Sequence, residues 1–353
     1  ATGIAVNSFG IADPAWIRAV TEQLCTVQHA SNLYYTAPDA QLAQLLCEKT
    51  GMKKVFFSNS GAEANECAIK AARKYAADHK GPEYSTIITL KNSFHGRTIT
   101  TLAATGQDVF HHDFLPLTEG FAYAEANDLD DLKAQVAAHK CAAIMMEVVQ
   151  GEGGVHPATK EFMVGLRKFC DENGMLLLID EVQTGWCRTG KVMSFMHYGI
   201  KPDIVSMAKA LGGGMPIGAI CAREEVAKSF TMGSHGTTFG GHPVCCAAAL
   251  AEVNELLDRD LAGNAAKVGE YLKKKLAELP HVKEVRGQGL LVGCEFDDTI
   301  SGVDVKHGCF DRHLLITAIG KHIIRLIPPL IITEADCDKA VAIIKETVES
   351  LSK

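Results

Sequence analysis

What the sequence lacks narrows it first. None of its 12 cysteines forms a C-x-x-C pair. They stand mostly alone in apolar stretches such as CAAIMME (141–147) and VGCEF (292–296). That usage argues against a disulfide framework and against zinc, and fits reduced, buried cysteine in a cytoplasmic chain. FHHDF (110–114) is the single metal-like cluster, and a solvated loop explains it better. There is no long Lys/Arg block and the net charge is −7, which argues against nucleic acid as a partner. No apolar run reaches membrane-spanning length, because glycines and a proline break the longest candidate around 210–222. No secretory signal opens the chain. Its first residues, ATGIAVNSFG, lack an initiator Met and read as ordered structure, the start expected of a fragment of a longer chain.

What is present is an ordinary globular composition, 47% hydrophobic and 22% charged over 353 residues, long enough for two lobes. Six short apolar runs read as strands: KKVFFS (53–58), STIITLK (85–91), CAAIMMEV (141–148), MLLLIDEV (175–182), DIVSMA (203–208) and IGAICA (217–222). Helical patterns near 60–77, 128–138 and 159–173 lie between them. Continuous apolar strands alternating with helices predict an α/β fold, a mostly parallel sheet covered on both faces. Beyond about residue 250 the texture changes. Amphipathic helices at 242–258, 260–278 and 333–352 flank short strands near 282–296 and 323–327, which predicts a smaller α+β domain.

Several segments carry chemistry. In SMAKALGGGMP (206–216), Lys209 sits among Met207, Ala208, Ala210 and Leu211. It is either a snorkelling surface side chain or an amine kept dry as a nucleophile or base. FFSNSGAEANE (56–66) ends a strand and opens a helix with Ser60, Gly61, Ala62 and Glu63. S-x-x-E is a capping box, and the bare amides at the positive helix end also suit a phosphate. MLLLIDEVQTG places Asp180, Glu181 and Gln183 at the end of a buried strand, where open parallel sheets bind ligands. A carboxylate and a desolvated amine at neighbouring strand ends suit pyridoxal phosphate.

Weaker signals join these. NSFHGRT (92–98) offers Phe94 to stack on a ring and Arg97 to fork onto a carboxylate, or else a core ring and a surface charge. EVVQGEGGV (147–155) repeats acids at a strand end, Glu147 and Glu152. HGTTFGGHP (235–243) is a Gly/Thr loop before a helix, with Thr238 a second phosphate contact. HIIRLIPPL (322–330) buries Arg325 in an apolar strand, where it needs a carboxylate partner. Two apparent motifs fail. GWCRTGKV (185–192) has P-loop spacing, but Val192 stands where Ser or Thr must hold magnesium. GQGLLVG (287–293) has the wrong spacing for a dinucleotide fingerprint and leads into a strand.

Taken in order, SGAEANE, NSFHGRT, QGEGG, IDEVQTG, RTGK, AKALGGGMPIGA and HGTTFGGHP resemble the class-III pyridoxal-phosphate aminotransferases of fold type I, over nearly the whole chain. The resemblance implies a large cofactor domain with a seven-stranded sheet at 14–250, and a small domain from 1–13 and 251–353, truncated at its N-terminal part. Lys209 would be the Schiff-base lysine and proton shuttle, Asp180 the partner of the pyridinium nitrogen, and Gln183 that of the phenolic oxygen. Phe94 would stack on the ring. Ser60, Gly61 and Ala62 would hold the phosphate, with Thr238 reaching in from the partner of a homodimer. Arg97 would bind the substrate α-carboxylate and Arg325 that of 2-oxoglutarate, with Glu152 covering Arg325 and Glu147 in support. The glycines after Lys209 would let the backbone pass close to the cofactor.

GIAVNSFG and SNLYYT (31–36) point within the family to N-acetylornithine as amino donor and 2-oxoglutarate as acceptor, in arginine biosynthesis. The alternatives within the family are ornithine, succinylornithine, succinyl-diaminopimelate and 4-aminobutyrate. Gly3 stands where the resemblance gives ornithine-specific members a tyrosine, and a glycine leaves room for an acylated head. The chain departs from the family at GIADP (10–14), with Ile11 in place of His, at Trp186 and Cys187, and in the few dozen residues that precede GIAVN in relatives.

Overall fold

The runs CAAIMME and LLLID have no polar face to offer water, and every residue of both is buried. The computed structural model describes residues 1–352. In chain order the strands are β1 (Lys54–Ser58), β2 (Thr86–Leu90), β3 (Phe121–Ala124), β4 (Cys141–Glu147), β5 (Val149–Gln150), β6 (His156–Pro157), β7 (Leu176–Asp180), β8 (Ile204–Met207), β9 (Gly218–Ala222), β10 (Val282–Gln288), β11 (Leu291–Phe296), β12 (Thr317–Ile319) and β13 (Ile323–Leu326). Seven of them form one sheet in the order β1-β9-β8-β7-β4-β2-β3. The pairs β3–β2, β2–β4, β4–β7 and β7–β8 are parallel, and β9 runs antiparallel to both β8 and β1. The fold is therefore the mostly parallel α/β architecture expected.

Two strands antiparallel to the same neighbour point the same way, so β1 shares the direction of β8. The carboxyl ends of β1, β2, β4, β7 and β8 thus fall on one edge of the sheet, and the start of β9 joins them there. This placement brings residues from five distant parts of the chain together.

Side-chain alternation covers both faces. Leu176 and Leu178 pack with Ala64, Ala68 and Ala72 of the helix Gly61–His79, while Leu177 and Ile179 face the other apolar cluster. That second cluster runs on into a four-stranded antiparallel sheet, β10-β11-β13-β12, through Val292, Cys294, Ile324 and Leu326. The helices Leu261–Ala277 and Gly302–Asp311 cover it, and Glu334–Leu351 packs on both of them. The N-terminal residues are tied to the same region: Thr2 Oγ1 donates to Ile327 O at 3.0 Å and Leu330 N to Ser8 O at 2.7 Å. Among the described residues, no helix is long and apolar enough to cross a membrane.

The sequence reading omits β3, because FAYA is short, only alternately buried and sits at the sheet edge. It also omits the helices Pro14–Leu24 and Ala37–Thr50, whose starts are set by local caps. Asp13 Oδ1 accepts from the amides of Ala15 and Trp16, and Thr36 with Asp39 forms a capping box.

Candidate active site

At the shared carboxyl edge lies a cavity of about 480 Å³. Ser60, Gly61, Ala62, Phe94, Arg97, Glu147, Glu152, Asp180, Gln183 and Lys209 all line it. Arg325 stands behind it, and Gly3 and Thr238 lie outside its lining.

Lys209 follows β8 in a single 3-10 turn, with φ +48°. A lysine in the left-handed region is strained, and such strain persists where the surroundings over-determine it. Burial pushes its ammonium below the usual lysine range, against the opposing pull of Glu152 and Asp180. The amine is therefore dry and more readily unprotonated than a surface lysine.

The three glycines after Lys209 meet different neighbours. A Cβ on Gly212 would run into Met215 O and Ile217, and one on Gly213 into Glu252. Only Gly214 lines the cavity. The turn onto Met215 and Ile217 accounts for Gly212, and close packing against Glu252 and Trp16 for Gly213.

Asp180 ends β7 and is 3% exposed. Its Oδ2 accepts from Asn65 Nδ2 at 2.8 Å and lies 2.9 Å from His95 Nδ1, and its Oδ1 accepts from Val182 N at 2.9 Å. Neither Asn65 nor His95 had a role in the sequence reading. Asparagine competes with the backbone for hydrogen bonds inside a helix, so its presence one turn into Gly61–His79 is a readable signal. Glu181, the next residue, points away. It is fully buried and accepts from Thr184 Oγ1 (2.6 Å), Ser194 Oγ (2.7 Å) and Phe195 N (3.1 Å), a structural role.

Glu147 is the register partner of Asp180 on β4. It accepts from Phe94 N at 2.9 Å and Gly151 N at 3.4 Å, so it shapes both loops that border the cavity. Burial raises its carboxyl to about 7, with His95 opposing and Asp180 adding to the rise.

Arg325, on β13, is 3% exposed. Its Nη1 donates to Glu152 Oε1 (2.7 Å), Gly151 O (2.8 Å) and Gln183 Oε1 (3.1 Å). Gln183 Nε2 donates to Glu152 at 3.1 Å. Burial alone would raise the Glu152 carboxyl, but Arg325 outweighs it and the net shift is downward. Arg97 contrasts with this closed cluster, lying exposed over the rings of Phe110 and Phe94.

Ser60 caps the helix Gly61–His79 by accepting from Glu63 N at 3.2 Å. Only half of the capping box forms, since the Glu63 carboxylate bonds Asn59 N and Nδ2 instead of Ser60 N. The first amides of any helix lack intrahelical acceptors, and those of Gly61 and Ala62 border the cavity. The P-loop look-alike is a tight turn, with Trp186 and Cys187 at φ +54° and +71°. Its Arg188 is buried and donates to Leu290 O and Pro328 O at 3.1 and 2.6 Å.

Comparison with known proteins agrees with this geometry. The family model for class-III aminotransferases matches residues 1–348. An acetylornithine aminotransferase of Haemophilus ducreyi is 47% identical over 351 residues, covering 99% of this chain and 88% of that protein. One from Methanocaldococcus jannaschii is 43% identical, with 99% and 88% covered. Among solved structures, an ornithine aminotransferase of Toxoplasma gondii superposes with TM-score 0.95 at 32% identity, covering 100% of this chain and 86% of that one. An amine transaminase from an uncultivated Pseudomonas species, in its pyridoxal-phosphate-bound form, gives 0.94 at 28% identity, with 99% and 90% covered.

Proposed function

We infer the reaction from one premise: the chain belongs to the class-III aminotransferase family. It moves the δ-amino group of N2-acetyl-L-ornithine to 2-oxoglutarate, giving N-acetyl-L-glutamate 5-semialdehyde and L-glutamate, a reaction of arginine biosynthesis. The observation that carries the substrate is the run of acetylornithine aminotransferases at 41–47% identity over nearly the full chain.

Pyridoxal 5′-phosphate is the cofactor, and the residues present fit it. A buried carboxylate already oriented by two partners, a dry amine and a helix N-terminus border one cavity. Gly61 has no room for a side chain, because a Cβ there would lie 2.7 Å from Val182 Cγ1. When bound, the cofactor supplies an electron sink for the carbon that bears the amino group.

The chain's own residues do the rest. Asp180 would hold the ring nitrogen, Phe94 the ring face, and Ser60, Gly61 and Ala62 the phosphate. Gln183 keeps a second N–H for the phenolic oxygen after donating to Glu152. Lys209 Nζ would carry the proton between the amino-bearing carbon and the cofactor. Arg97 would bind the α-carboxylate of the amino donor. Arg325 would stay covered by Glu152 while the amino donor is bound and would take the α-carboxylate of 2-oxoglutarate in the second half-reaction.

The assembly is a homodimer in this reading, and Thr238, exposed and outside its own cavity, completes the phosphate site of the partner. Residues 14–250 form the cofactor domain, and 1–13 with 251–353 the small one. Twelve unpaired cysteines support a cytoplasmic setting. Gly3 leaves the substrate mouth open for the acetyl group. It is exposed, with φ +63°, and its segment reaches the cavity through Val6.

The test is the visible absorbance of the purified holoenzyme. N-acetylornithine added without a keto acid is expected to bleach the cofactor band, and 2-oxoglutarate to restore it. Bleaching by free ornithine but not by N-acetylornithine would overturn the substrate.

A further inference from the structure

The structure holds its two carboxylate-facing arginines in opposite ways. Arg325 is buried, and its Nη1 alone serves three oxygens. Arg97 is exposed, and among the described residues no hydrogen bond or ion pair engages its guanidinium. Instead its central carbon lies 4.0 Å from the centre of the Phe110 ring and 5.5 Å from that of Phe94. The two rings meet edge to face, 6.0 Å apart at 83°. A ring face restrains a guanidinium without occupying its N–H groups. All five donors of Arg97 therefore remain for a ligand.

Phe110 does not line the cavity, yet its place is fixed. It ends the short turn Asp108–Phe110. Gln107 Nε2 donates to Ser93 O at 3.0 Å, Gly106 N to Ser93 Oγ at 3.1 Å, and Asn92 N to Gly106 O at 2.7 Å. On the far side, His111 Nε2 lies 3.0 Å from Leu102 O and 2.9 Å from Thr105 O. The turn that carries Phe110 is thus stitched to the loop that carries Phe94 and Arg97.

We propose that Phe110 is a positioning residue for substrate carboxylates: its ring holds the Arg97 guanidinium flat with every donor free. The inference rests on the reading of Arg97 as the α-carboxylate anchor. It also separates the two arginines by design. Arg97 is a standing anchor held by aromatic rings, whereas Arg325 is gated by an acid.

The test compares Phe110→Leu, Phe110→Tyr and Arg97→Gln holoenzymes by steady-state kinetics. Loss of the ring face is expected to raise KM for N-acetylornithine about two- to fivefold in Phe110→Leu, the span of an exposed cation–π contact of about 0.5–1 kcal/mol. Phe110→Tyr, which keeps the face, is expected to stay near wild type, and kcat to change far less than KM in both. Placed in the Arg97→Gln background, Phe110→Leu is expected to add nothing, an outcome that a merely structural role would not give. Unchanged KM in Phe110→Leu, an equal loss in Phe110→Tyr, or an undiminished effect in the Arg97→Gln background would each overturn the role of Phe110 alone. Unchanged KM in Arg97→Gln would instead remove the anchor, and the inference with it.

Discussion

Asn65 Nδ2 and Asp180 Oδ2 lie 2.8 Å apart, joining the first turns of the helix Gly61–His79 to the end of β7. The same amide nitrogen also donates to His95 O at 2.7 Å. One asparagine therefore orients the carboxylate and ties down the loop that carries Phe94. Removing it leaves a buried carboxylate short of a donor, a loss of about 1–3 kcal/mol. Asn65→Ala is expected to weaken pyridoxal phosphate binding by about tenfold or more. Titration of the apoprotein with cofactor, followed by absorbance, measures it.

In the proposed function the pair Glu152–Arg325, 2.7 Å apart, sets the choice between donor and acceptor. Glu152→Gln keeps the shape and removes the charge, so Arg325 is less tightly covered. The lost interaction, a charge-assisted hydrogen bond, is worth about 1.5 kcal/mol or more. KM for 2-oxoglutarate is expected to fall severalfold, and glutamate to become a better amino donor relative to N-acetylornithine. Initial rates with each substrate varied separately decide the matter.

A different kind of constraint acts at Gly61. An added methyl would meet Val182 Cγ1 at 2.7 Å, at the mouth of the proposed phosphate cradle. Gly61→Ala is expected to reduce cofactor affinity although alanine is the better helix former. Val182→Ala in the same chain should recover much of the loss, since it clears the space. Cofactor titration of the single and double variants tests this, and failure of the rescue would show that the glycine serves the backbone instead.

How much of this was legible beforehand differs between elements. The runs that became β4 and β7 were readable because strands buried on both faces carry no polar alternation. Lys209 and Asp180 are readable because a charged residue within or at the end of an apolar run needs a reason, and the Ser60 cap from its S-x-x-E spacing. The association of Arg325 with Glu152 was not derivable from spacing, since it joins β13 to a loop 173 residues away. His95 stayed unread because its partner, Asp180, is 85 residues distant. Of the glycines after Lys209, Gly214 lines the cavity, while the neighbour of Gly213, Glu252, comes from a helix far along the chain and is not readable from the run itself.

Glu252 gives the prediction with a definite sign in pH. It lies on the helix Pro243–Asp258, is 1% exposed, and its Oε1 has no hydrogen-bond partner among the described residues. Burial raises its carboxyl from 4.5 to about 8; Asp13 adds to the rise, while Ser8, Arg259 and Arg188 oppose it. Below the lower value both folded and unfolded chains carry the proton. As pH climbs toward the upper value the unfolded chain loses it first, so the unfolded state is favoured and stability falls. Each unit of that interval costs up to about 1.4 kcal/mol. Glu252→Gln, which cannot ionise, is expected to match wild type near about pH 5 and to exceed it by a few kcal/mol near about pH 8.5. Chemical denaturation of the two proteins at both pH values measures the difference. An equal offset at the two values would mean that Glu252 does not change its protonation across this range on unfolding.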